Sequence, residues 1–163
     1  MKKFLAPACL LAAIVAGASP AAAVPSGPPT PFVENGALPA SVCGFDISYT
    51  LTGKTKVITS PNGRTTTTTS PGQKITLVND DSGASVSYVI TGVRRETRVA
   101  STPLDIIETV VTGRNIVVNN QESDIPGLYV LVGEYNYAIN TDFQEVRVFS
   151  GHGRVIDVCA ALR

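Results

Sequence analysis

Cys43-Gly44-Phe45-Asp46-Ile47-Ser48-Tyr49-Thr50-Leu51 decides the fold class. Cys43, Phe45, Ile47, Tyr49 and Leu51 fall on every second residue, with Gly44, Asp46, Ser48 and Thr50 between them. Successive side chains of a strand point to opposite faces, so strict period two predicts a strand with one buried face. Beyond this stretch the chain stays rich in Val, Ile, Thr and Tyr, and no window carries a helical apolar stripe. The expected class is all-β.

Two sets of breakers punctuate the remainder. Turn clusters stand at Pro61-Asn62-Gly63, Asn79 to Gly83, Ser101-Thr102-Pro103, Asn119 to Gly127 and Asn140-Thr141-Asp142. Midway between them fall Gly53, Gly72, Gly92, Gly113, Gly133 and Gly151-His152-Gly153. The pattern predicts six long units, 42–60, 64–79, 84–100, 104–119, 128–140 and 143–161. Each glycine is either a kink in one long strand or a turn between two short ones. Tyr129, Leu131, Tyr135, Tyr137 and Ile139 keep one phase across Gly133, as Cys43 to Val57 do across Gly53, which favours kinked long strands. The phase changes across Gly92, which asks for a bulge or a turn.

The N-terminus reads differently. Lys2 and Lys3 precede an apolar run from Phe4 to Val15, and Ala21-Ala22-Ala23 offers a cleavage site, so residues 1–23 are expected to be a secretory signal peptide. Pro7, Gly17 and Pro20 break the run short of the roughly 20 apolar residues a bilayer span needs. Residues 24–40, with Pro25, Pro28, Pro29, Pro31 and Pro39, are expected to form a flexible arm ahead of a domain at 41–163.

If Cys9 leaves with the signal, Cys43 and Cys159 remain, and two cysteines in an exported protein are read as one disulfide. An even number of units in an up-and-down meander makes the first and last antiparallel neighbours if the sheet closes. The expected architecture is therefore a single antiparallel up-and-down β-barrel, or a flattened barrel, of about six long kinked strands, seamed by that bond and free of open edges. Asp157 disturbs this reading. It shares a face with Cys159 and Val155, whereas Ile156, Val158 and Ala160 make the more apolar set. Either Asp157 points inward near Tyr49 or a bulge shifts the phase.

Removing Lys2 and Lys3 from the 13 basic residues leaves 11 against 13 acidic ones, a net charge near −2. No basic stripe suits nucleic acid, and no amphipathic helix suits a membrane surface once the signal is gone. The only histidine, His152, sits between two glycines with no sequence neighbour suited to activate it or share a metal. Asp80-Asp81 lacks the ligand spacing of a calcium loop. No catalytic residue, metal or cofactor is expected, and the chain is expected to be monomeric.

For binding, the stripe Tyr129, Tyr135 and Tyr137, with Tyr49 and Asp157 near it, is the first candidate. In a small barrel such a stripe fills the interior or lines a cavity for a small apolar ligand. The loop 119–127, with Glu122 and Asp124, is a second candidate. Arg94 and Arg98 share a face with Glu96 between them and read as a salt-bridged outer face. Thr65 to Thr69 reads as a strand.

Cys43-Gly44-Phe45-Asp46-Ile47, Thr52-Gly53-Lys54-Thr55-Lys56-Val57-Ile58 and Gly153-Arg154-Val155-Ile156-Asp157-Val158-Cys159-Ala160 give the chain a resemblance to a group of short, secreted, uncharacterised actinomycete proteins. The expected architecture also looks like the small barrels of lipocalins and allene oxide cyclases, although the chain has no Trp and no lipocalin Gly-x-Trp signature. The expected function is that of a secreted, non-catalytic binding module for a small apolar ligand or a surface partner. A cell-envelope structural protein is the alternative. A barrel-pocket isomerase or cyclase would need a polar group inside, such as Asp157.

Overall fold

A computed structural model describes residues 27–119 and 123–163, so the expected signal peptide lies outside the described residues. The described residues form nine strands: β1 (Thr30–Leu38), β2 (Ile47–Thr59), β3 (Thr65–Thr69), β4 (Lys74–Asn79), β5 (Ser85–Val89), β6 (Gly92–Val99), β7 (Ile106–Asn119), β8 (Gly127–Asn140) and β9 (Glu145–Asp157). Two four-residue helices, α1 (Ala40–Cys43) and α2 (Val158–Ala161), flank the meander. The sheet runs β5-β4-β2-β3-β6-β7-β8-β9, with β1 added along β2, and every pairing is antiparallel.

The class is all-β, but the sheet is open. Among the described residues β9 pairs only with β8, so the first and last strands do not meet and no barrel closes. Nine strands replace the expected six because two units are interrupted and the arm adds one. β3 and β4 follow one another along β2: from Lys56↔Thr69 to Thr52↔Lys74, β2 advances four residues and its partner five. That extra residue is a bulge at Ser70–Gln73. β5 and β6 divide similarly at Ile90–Thr91, which accounts for the phase change across Gly92.

The arm is not free where it is described. Residues Thr30–Leu38 pair along their whole length with Thr55–Ile47. Pro31, the one proline within β1, is tolerated because β1 is an edge strand. Tyr49 lies against Gly36, its cross-strand partner, and its hydroxyl donates to Glu34 Oε1 at 2.8 Å.

A row of glycines crosses the sheet. Gly92 pairs with Gly113, Gly113 with Gly133, and Gly133 with Gly153. Gly133 and Gly153 hold φ of 137° and 140°, where L side chains rarely sit. A Cβ on Gly133 would run into His152 O, and one on Gly153 into Val132 O. The two backbones touch because neither carries a side chain, and the sheet folds along this line.

The fold is sharp. Tyr129 pairs with Asp157, eight residues beyond Phe149 on β9, a distance of ~26 Å along a straight strand. The rings of Tyr129 and Phe149 nevertheless lie 5.4 Å apart, edge to face. Residues on the two arms of the bend thus share one cluster: Leu131 and Val117 from one side, Val111 and Tyr135 from the other. The opposite face of β8 (Leu128 and Val130) joins a larger core with Ile47, Ile75 and Leu77. This part of β8 is buried on both faces.

The chain ends hold this larger core shut. Cys43 and Cys159 are bonded, but neither lies in a strand: Cys43 ends α1 and Cys159 lies in α2. Gly44, with φ of 86°, terminates α1. Asn79 Nδ2 donates to Leu162 O at 3.0 Å, tying β4 to the C-terminal turn. The phase conflict at Asp157 disappears because the strand ends there. In a helical turn adjacent residues need not alternate, so Val158 and Cys159 are both buried.

Two stability changes follow. Gly133→Ala should lower the unfolding free energy by about 3 kcal/mol in urea titrations, since the new methyl meets backbone on a strained φ. Replacing both Cys43 and Cys159 with Ser should cost about 4 kcal/mol by the same measurement, since the bond spans 116 residues of chain.

Candidate functional site

The fold creates a gap. Up to the glycine row β6 and β7 pair continuously, Val99↔Ile106 to Gly92↔Gly113. Past it β7 pairs only with β8, while β5 pairs only with β4. Where these two parts separate lies a cleft of about 220 Å³. Leu51, Ile90, Val111 and Ile116 form its apolar part, and Gln73, Arg94, Asn115 and Tyr137 its polar part.

Register explains how the polar groups meet. Residues opposite one another on antiparallel strands share a face. Thr68↔Arg94↔Val111↔Tyr135 is one such row, and Thr66↔Glu96↔Thr109↔Tyr137 is the next. Alternate members of the Thr65–Thr69 run therefore stand beside Arg94 and Glu96. Arg94 Nε lies 3.4 Å from Glu96 Oε1, the expected ion pair. Arg94 is half exposed, on the face that also carries Tyr137 and buried Val111.

Thr109 is 1% exposed, and its Oγ1 has no hydrogen-bond partner among the described residues. Burial pushes the Tyr137 hydroxyl above the usual tyrosine range. The nearby Arg94 guanidinium and the Thr109 side chain oppose that shift. Gln73 is 8% exposed, and its Nε2 makes only a long contact of 3.4 Å to Lys54 O.

The five residues singled out from the sequence do not form one site. Tyr137 lines the cleft. Tyr135 packs inside the fold with its ring 6.1 Å from Phe149. Tyr129 shares that cluster, and its hydroxyl donates to Pro126 O at 3.0 Å. Tyr49 lies under the first strand. Asp157 is exposed and caps α2, its Oδ1 accepting from Ala160 N at 2.9 Å. An inward carboxylate at this position is thus ruled out, because the α2 amide needs an acceptor there. Asp157 and Tyr129 do border a separate depression beside the disulfide.

The 119–127 loop is tied down where it is described. Ser123 Oγ donates to Glu145 Oε2 at 2.6 Å, and Asn119 Nδ2 to Ile125 O at 3.0 Å. Glu122 lies outside the described residues. His152 is exposed on β9 opposite Glu134. Gln73, Asn115 and Thr109 were not legible as site residues; the interruption at Pro71-Gly72 was the only signal near them.

Tyr88 and Tyr129 are also pushed up, by burial first and then by the charge of Asp157. Tyr49 is raised chiefly by its hydrogen bond to Glu34. The folded chain keeps these hydroxyls protonated past the pH at which the unfolded chain releases them. Stability should be complete below about pH 10 and fall as pH rises beyond it. Absorbance titration should show Tyr137→Phe losing tyrosinate signal only above that range; loss below it would contradict the buried phenol.

No protein-family model matches the chain, and neither a curated protein nor a solved structure does.

Proposed function

We propose that this protein is an exported, non-catalytic binding module that holds a small ligand in the cleft beside the glycine bend. The carrying observation is the cleft itself: an apolar floor and a few convergent polar groups, set where the sheet has stopped pairing. Export is supported by the Cys43–Cys159 bond, a form of cross-link that persists in oxidising compartments. No described helix is long and apolar enough to cross a membrane. The proposal includes kinship with the short secreted actinomycete proteins named above.

The other two readings have less support. The arm's use as an attachment is weakened because Thr30–Leu38 is already paired in the sheet. The isomerase or cyclase reading loses Asp157, which faces solvent.

Native mass spectrometry of protein taken from its own culture medium should reveal a retained small molecule. Thr68→Phe, which fills the cleft from its half-buried side, should abolish the adduct and leave the melting temperature within a few degrees. Finding the same adduct on both proteins would place the ligand elsewhere and overturn this assignment.

A further inference from the structure

We propose that the cleft selects a small monocarboxylate, gripped by the Arg94 guanidinium, with an apolar body laid against Leu51, Ile90 and Ile116. This rests on the cleft being a binding site. Arg94 is its only charged lining residue. Glu96 stands one step further along β6, its Oε1 3.4 Å from Arg94 Nε. No other carboxylate pairs with Arg94 among the described residues. A guanidinium fork matches a carboxylate with two parallel hydrogen bonds, a geometry that a neutral amide cannot reproduce with equal strength.

Neighbouring groups fit the same ligand. Tyr137, held protonated by burial, offers a hydroxyl donor beside Arg94. Leu51, Ile90, Val111 and Ile116 supply aliphatic lining, which suits a branched or aromatic body. The size sets a limit as well. About 220 Å³ is below the roughly 300–1,000 Å³ of sites for drug-sized ligands, so a single ring or short branched chain is the fit.

Calorimetric titration with phenylacetate and its neutral match phenylacetamide tests the assignment. The acid should bind at least tenfold more tightly than the amide, and less tightly as salt rises, because Arg94 is half exposed. Arg94→Gln should remove the preference for the acid. Arg95→Gln should preserve it, because Arg95 is exposed on the opposite face of β6. Equal binding of acid and amide, or an unchanged preference in Arg94→Gln, would overturn the carboxylate assignment while leaving a binding cleft. Failure of both probes to bind or to shift the amide resonances of cleft residues would overturn the carboxylate assignment and the small-ligand reading together.

Discussion

Backbone contact between facing glycines is the constraint on which the structure depends. At Gly133 and Gly153 each chain occupies the space a neighbouring Cβ would need. That approach lets β7, β8 and β9 turn through a sharp angle with pairing continuous across the glycines; β8 and β9 shift register only beyond Asn136↔Ser150. Everything distinctive follows from the turn: the aromatic cluster inside it, the burial of β8 on both faces and the parting of β5 from β7.

The two hydrophobic clusters stabilise the bend from opposite sides. Val111, Val117, Leu131 and Tyr135 fill its inside, and Phe149 packs edge-on against Tyr129 and Tyr135. The larger core lies beyond, and its edge is held by the disulfide and by the bond from Asn79 to Leu162. Nonlocal ties at the far end matter because the sheet is open. Without a closing ladder between first and last strands, side chains and one covalent bond keep the two parts together. The cleft lies where neither ladder nor core is continuous, so polar groups there remain available.

Much of the strand pattern was legible. Period two from Ile47 onward is the signature of a half-buried strand, and four of the glycines that punctuate the units, Gly92, Gly113, Gly133 and Gly153, are the row that folds the sheet. The pairing of Cys43 with Cys159 could also be read from the count of cysteines. The site was less legible. Tyr137 was visible as part of a stripe, but Tyr129 and Tyr135 are indistinguishable from it by period; the bend buries Tyr135, packs Tyr129 and Tyr137 against it, and leaves only Tyr137 at the cleft. The exposed Arg94–Glu96 pair was legible, but strand parity says which residues share a face and not that this face borders a cleft. Gln73 and Asn115 carry no local pattern; they meet Arg94 only because two strands diverge.

The chain ends show the same division. Alternation was extrapolated through Cys43 and through Asp157 to Cys159, yet both cysteines lie in helical turns. The sequence alone determined the strand class, the positions of the kinks and the identity of the cross-link, because these depend on side-chain period, glycine's missing Cβ and residue counts. Tertiary structure decided that the sheet stays open, which side of the meander is enclosed and where the polar cleft lies. Those outcomes depend on the direction and sharpness of the bend, which is set by packing between residues far apart in the chain.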